Sequence, residues 1–131
     1  MIGKVDGMDG TRRRVRVYVA GPYTQGDPVI NTHAACQDAI DLMEAGFAVF
    51  CPHLSHFLHF LRPQAYDFWI EQDLEWLGAC DCILRRPGPS SGADGEVERA
   101  LEIEMPIFGS VAEVIEAYGG AHPCAERWID G

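Results

Sequence analysis

The sequence predicts an α/β fold: a single domain built on an open parallel sheet flanked by helices. Three observations carry this. Strand-like and helix-like segments alternate along the chain, which implies parallel pairing through right-handed crossovers. The segment "VRVYVAG" (15 to 21) is β-branched and apolar enough for a strand buried on both faces. Turn-rich stretches stand where a strand would hand over to a helix, above all "GPYTQGDP" (21 to 28).

Taken in order, the first strand feeds that loop, and the loop feeds a helix from about Val29 to Ala45. Ala34, Ala35, Ile40, Leu42 and Met43 are among its apolar positions, and Gly46 is its C-terminal stop. "FAVFCP" (47 to 52) is the second strand. The region holding "HLSHFLHFLRPQ" is too broken by Pro63 to be one clean helix. "YDFWIEQDLEWLGAC" (66 to 80) reads as the next helix and "DCILRRPG" (81 to 88) as the third strand. Residues 92 to 104 read as a third helix, "PIFG" (106 to 109) as a short fourth strand, and 110 to 120 as a last helix with Ser110 as its N-cap. The sum is a sandwich of the Rossmann or flavodoxin-like kind. In such sheets ligands sit outside the carboxyl ends of the strands, where the loops at 21 to 28, 52 to 65 and 86 to 95 would lie. The domain is expected over 14 to 120, with a flexible leader at 1 to 13 and a tail at 121 to 131. There is no internal repeat and no low-complexity linker.

Composition narrows the function classes. With 131 residues, 47% hydrophobic and 23% charged, the chain builds one core. A formal net charge of -10 argues against nucleic acid as a partner, since that binding needs clustered Lys and Arg. The basic cluster "RRRVR" (12 to 16) reads as a solvated leader. Five cysteines (Cys36, Cys51, Cys80, Cys82, Cys124) show no paired spacing, which fits a reducing cytoplasm. No apolar run approaches the roughly 20 residues of a membrane span, and "MIGKVDGMDG" lacks the apolar core of a secretion signal, so no membrane partner is expected.

Two carboxylates stand on the wrong faces of their helices. At about 100° per residue, Glu96 shares an inward stripe with Ala93, Ala100 and Ile103, while Glu98 and Glu102 fall opposite. In the helix at 66 to 80, Tyr66, Trp69, Ile70, Trp76 and Leu77 form an apolar arc that encloses Asp73. A carboxylate facing a core or cleft costs several kcal/mol unless it is paired, hydrogen-bonded or protonated. Each could instead be a helix cap or an ion-pair partner of Arg85, Arg86 or Arg99. Ahead of Glu96, "SSGADG" (90 to 95) would form a turn whose serine hydroxyls and free N–H groups suit a sugar or phosphate, though any such stretch can be a plain N-cap.

The blocks "VYVAGPYTQGD" (17 to 27), "DLEWLGACDCIL" (73 to 84) and "SSGADGEVERA" (90 to 100) together resemble the nucleoside 2-deoxyribosyltransferase superfamily, which includes the 2′-deoxynucleoside 5′-phosphate N-hydrolases. The likeness runs, with gaps, from about 15 to 118. It implies that Glu96 is the nucleophile on the anomeric carbon and that Asp73 orients it and shuttles a proton to the departing base. Tyr18 would hydrogen-bond near Glu96, Ser90 would contact the 5′ end of the ligand, and His53 would stand near the base. Gly21, Tyr23, His56, Gly92 and Gly95 complete the implied substrate-binding set. The ligand would be a small nucleoside or nucleotide, with no cofactor and no metal. Where the nucleotide hydrolases carry a serine and an arginine in the first loop, this chain has Pro22 and Thr24, so the choice of substrate does not transfer.

Other features stay open. His53, His56 and His59 are spaced three apart; a metal site is conceivable, but no Asp, Glu or Cys sits at a ligand-like offset, and a place in the base pocket for His53 or His56, or a structural role for all three, fits better. Alternation would point Cys80 and Cys82 to one face, as core residues. Trp69 and Trp76 read as core or interface residues, and Phe57 and Phe60 as parts of a lid. The rival function is a non-catalytic nucleotide-sensing domain on the same sheet. The aromatic content of 66 to 80, with the implied family habit, predicts a homodimer or dimer of dimers with that helix at the interface and the tail near a partner's pocket.

Overall fold

Alternate residues of the first strand, Arg16–Ala20 (β1), divide the apolar interior in two. Val17 and Val19 face one way, and Tyr18 and Ala20 the other. This computed structural model describes residues 13 to 119. The helices are Pro28–Glu44 (α1), Ser55–Leu61 (α2), Tyr66–Leu77 (α3), Ser91–Glu102 (α4) and Val111–Tyr118 (α5). The remaining strands are Ala48–Phe50 (β2), Cys82–Arg85 (β3) and Ile107–Phe108 (β4). All pairings are parallel and the strand order is β2-β1-β3-β4. The expected α/β sheet is therefore what forms.

On one face, Val17, Val19, Cys82 and Leu84 pack against Ala35, Ala39 and Leu42 of α1 and Val114 of α5. On the other, Tyr18, Ala20 and Ile83 pack against Leu77 of α3 and against Ala93 and Ala100 of α4. The chain leaves β1 towards β2 on one side and returns to β3 on the other, so a crevice opens between β1 and β3 at their carboxyl ends. At the opposite end, the Asp81 carboxylate accepts from both guanidinium nitrogens of Arg13 (2.7 and 2.8 Å) and from Arg16 N–H (2.8 Å). Those bonds hold its pKa below the ordinary value. Arg13 is thus tied to the domain rather than to a leader; residues 1 to 12 and the tail from 120 lie outside the described residues.

Local chemistry sets the boundaries. The Asp27 carboxylate caps α1 by accepting from Val29 N–H (2.8 Å) and Ile30 N–H (3.3 Å), and Gly46, at φ 102°, ends it. Thr32, Ala35, Ala39 and Leu42 are its buried positions. Ile40 and Met43, named among the apolar positions of this helix, are 51% and 42% exposed, because each sits about 100° around the helix from a buried neighbour. The stretch before Pro63, read as too broken for a clean helix, forms a 3₁₀ turn at Pro52–Leu54 and then α2. Proline stops this helix rather than disrupting it, since Arg62 turns extended (φ -149°, ψ 98°).

Two expectations of facing fail for the same reason. Ile103 was placed on the inward stripe of α4 but is the C-cap, where the period no longer holds, and is 38% exposed. Cys80 and Cys82 do not share a face: Cys82 is buried with Val17 and Val19, while Cys80 lies against the Tyr18 side. Cys80 precedes the strand, so strand alternation does not govern it. Among the described residues, no helix is long and apolar enough to cross a membrane.

Candidate active site

Tyr18 brings the crevice its first functional contact. As the third residue of β1 it is fully buried on the α3/α4 side, and its hydroxyl donates to Oε2 of Glu96. Glu96, one turn into α4 beyond the capping Ser90, is itself only 6% exposed. The helix stripe therefore predicted the inward direction of this carboxylate correctly.

Electrostatics follow from burial. Desolvation pushes Glu96 up to about 7; the Tyr18 hydrogen bond opposes the shift, the Asp73 charge adds to it, and Arg85 opposes it. Asp73, half-buried on α3, is pushed up to about 7 by desolvation. Tyr18 is driven far above the ordinary phenol value by burial and then by the Glu96 and Asp73 charges, so it stays an O–H donor. Neither carboxylate is a partner of the arginines named as alternatives. Arg85 pairs with Asp94 (2.9 Å), Arg86 with Asp38 (2.6 Å) and Arg99 with Glu102 (3.0 Å).

Both carboxylates line a cavity of about 380 Å³. Its second wall is the start of α4, where Ser90 Oγ accepts from Ala93 N–H (3.0 Å) as the N-cap, with Ser91 and Gly92 beside it. A Cβ on Gly92 would stand 2.7 Å from the Tyr66 hydroxyl, so a side chain there would have to displace that ring. Gly21 and Tyr23 supply the third wall, and a Cβ on Gly21 would meet Arg86 Cβ at 2.9 Å. Gly95 is not brought to the cavity. It lies on the exposed side of α4, about 100° from Glu96, and a side chain there would meet open space.

The roof comes from the segment after β2. His53 is buried; its Nε2–H donates to the Pro22 carbonyl (2.9 Å) and its Nδ1 faces Cys51 Sγ (3.8 Å). Burial holds its pKa below the ordinary value. Both ring nitrogens are thus spent on the protein, and only the ring itself is offered to a ligand. His56 Nδ1 is bonded to the Tyr23 hydroxyl. His59 Nδ1 takes both Trp69 Nε1–H (2.9 Å) and Gln64 N–H (3.3 Å). Indole and amide nitrogens only donate, so this imidazole carries its proton on Nε2.

His59, Gln64, Tyr66 and Trp69 are cavity residues that sequence reasoning did not assign to the site. The three-residue spacing of His56 and His59 was the available signal, since it puts them on one helix face. Among the described residues, no three His, Cys, Asp or Glu side chains are grouped as a metal ion would need.

No family model matches this chain, and no curated protein matches it. Among solved structures it is similar to the 2-deoxyribosyltransferase of the psychrotolerant bacterium Bacillus psychrosaccharolyticus, a biocatalyst for the synthesis of antiviral and antitumoral nucleosides. The TM-score is 0.53 at 19% identity, covering 71% of this chain and 69% of that one. At that identity the likeness is one of fold.

Proposed function

We propose that this chain cleaves the N-glycosidic bond of a nucleoside or nucleotide through a glycosyl-enzyme intermediate, passing the sugar to water or to a second base. The observation that carries this reading is the buried Glu96, held by the Tyr18 hydroxyl and facing a cavity beside a second carboxylate of raised pKa. The similar fold of a nucleoside-making transferase supports it.

In the first step a Glu96 carboxylate oxygen attacks C1′ as the bond from C1′ to the base nitrogen breaks. The electron pair leaves with the base, and Asp73, protonated, delivers a proton to it. In the second step Asp73 takes the proton of the incoming water or base, which attacks C1′ and frees Glu96. Both carboxyls are pushed up to about 7, so each exchanges a proton near neutrality. The first step needs Glu96 ionised and Asp73 protonated, and the Tyr18 hydrogen bond stabilises the ionised form of Glu96.

The same reading includes a homodimer or dimer of dimers. Leu58, Phe60, Leu61, Phe68 and Trp76 are exposed around α2 and α3, and a groove there shares Trp69 and Asp73 with the cavity. The expected docking of the tail beside a partner's pocket concerns residues outside those described. A monomer by light scattering at micromolar concentration would remove the assembly.

The test of function is base release from a panel of nucleosides and deoxynucleotides, with Glu96→Ala as control. Release lost in the variant supports the reading. Ligand binding without any release would favour a sensing domain instead.

A further inference from the structure

No arginine among the described residues lines the cavity. Arg13, Arg14 and Arg16 stand at the start of β1, at the far end of the sheet from the crevice. Arg62 lines the adjoining groove between α2 and α3 and not the cavity itself, and Arg99 pairs with Glu102 on the exposed side of α4. Arg85 and Arg86 come nearest, at the carboxyl end of β3. Arg85 is held by Asp94 and by the carbonyls of Arg86 and Gly88, and Arg86 is held by Asp38.

The other means of binding an anion is the start of α4, where unpaired N–H groups and the helix dipole favour negative charge. Here that potential is partly spent within the chain. Ser90 Oγ accepts from Ala93 N–H, Asp94 supplies a carboxylate to the first turn, and the Tyr66 hydroxyl lies against Gly92. What faces the cavity from this wall and from the loop after β1 are hydroxyl and amide groups: Ser90, Ser91, Tyr66, Thr24 and Gln25. Such groups match sugar hydroxyls. The carboxylates Asp73 and Glu96 close the other end, and a phosphate dianion would enter against them.

We propose that the substrate carries no phosphate: the cavity takes a neutral nucleoside with free sugar hydroxyls and rejects its 5′-monophosphate. This rests on the N-glycosidic reading above and narrows it. This holds whichever end of the cavity takes the sugar, because no lysine or arginine among the described residues lines any of its walls. The Arg85–Asp94 pair is then a specificity device, since it neutralises the cation nearest the α4 start.

The experiment compares 2′-deoxynucleosides with their own 5′-monophosphates on the full chain, by base release and by thermal shift. The nucleoside should have a kcat/KM at least about 100-fold higher, since like charges brought together oppose binding strongly. It should also raise Tm where the monophosphate does not. In Asp94→Asn, which releases Arg85, the monophosphate should gain about tenfold while the nucleoside is unchanged. Equal or better cleavage of the monophosphate would overturn this inference and leave the N-glycosidic reading intact. Release of no base from either class would sink the N-glycosidic reading, and the thermal shift would still decide on charge: stabilisation by the monophosphate overturns the inference, and stabilisation by the nucleoside alone supports it.

Discussion

The floor and the roof of the cavity are built by opposite means. The floor is core: Tyr18 is fully buried in the sheet, Glu96 is nearly so, and Ala93 and Ala100 lock α4 against β1 and β3 on either side of it. The roof is α2, which buries none of its residues and leaves Phe60 70% and Leu61 83% exposed. It is tied down by side-chain hydrogen bonds, His56 to Tyr23 and His59 to Trp69 and Gln64. The contrast teaches how one small domain can combine a fixed nucleophile with an adaptable entrance. Apolar packing fixes position through many contacts at once, whereas two polar latches break one at a time. Floor changes should therefore act on kcat, and roof changes on KM.

The sharpest break of the contrast is Glu96→Gln. Loss of an essential nucleophile should lower kcat by about 1,000-fold or more, measured by base release. The fold should gain rather than lose. A carboxyl raised from 4.5 to about 7 by burial binds its proton more tightly folded than unfolded, so its contribution to stability falls as pH rises through that interval. The neutral amide avoids that penalty. Denaturant unfolding should show the variant more stable by about 2 kcal/mol at pH 8, with the gain fading towards pH 5. A variant less stable at pH 8 would mean that the floor is held by the charge.

Next in size is Asp73→Asn, expected to cost about 100-fold in kcat because the departing base loses its proton donor. The loss should shrink for a substrate whose base leaves readily without a proton. An equal loss on both would assign Asp73 to structure. Tyr18→Phe comes third, at about tenfold in kcat. Removing its hydrogen bond lets Glu96 rise further above its ordinary value, so the acid limb of the rate profile should move to higher pH. A profile that does not move would separate Tyr18 from the ionisation of Glu96.

The roof supplies the smallest effect. His59→Phe should raise KM about fivefold and leave kcat within about twofold, as expected for one lost hydrogen-bonded latch. Trp69→Phe should do the same, and the double variant should be no worse than either alone, since both remove one interaction. A kcat loss matching that of the floor variants would erase the distinction between the two regions.

Much of this was legible in one dimension. The β-branched run of β1, the helix periods and the Ser90 and Ser110 caps are local, so the alternation of strand and helix could be read directly, and Glu96 and Asp73 stood out because a helix repeats every 3.6 residues. The misreadings fall where periodicity ends: Ile103 is a cap and Cys80 precedes its strand. The exposure of Ile40 and Met43 depends on which stripe of α1 the sheet selects, which it did in favour of the small Ala35 and Ala39.

By itself, then, the sequence determined the order of elements, the parallel sheet and the inward direction of two carboxylates, because those follow from backbone geometry over a few residues. The bond from Tyr18 to a glutamate 78 positions away was implied by the family resemblance and by no local pattern, and only the tertiary structure decided that Arg85 and Arg86 are spent on Asp94 and Asp38. It alone decided that His59 is fixed by Trp69 and Gln64. Such pairings join segments through space. Which donor meets which acceptor is set by how helices settle on the sheet, and no local pattern encodes it.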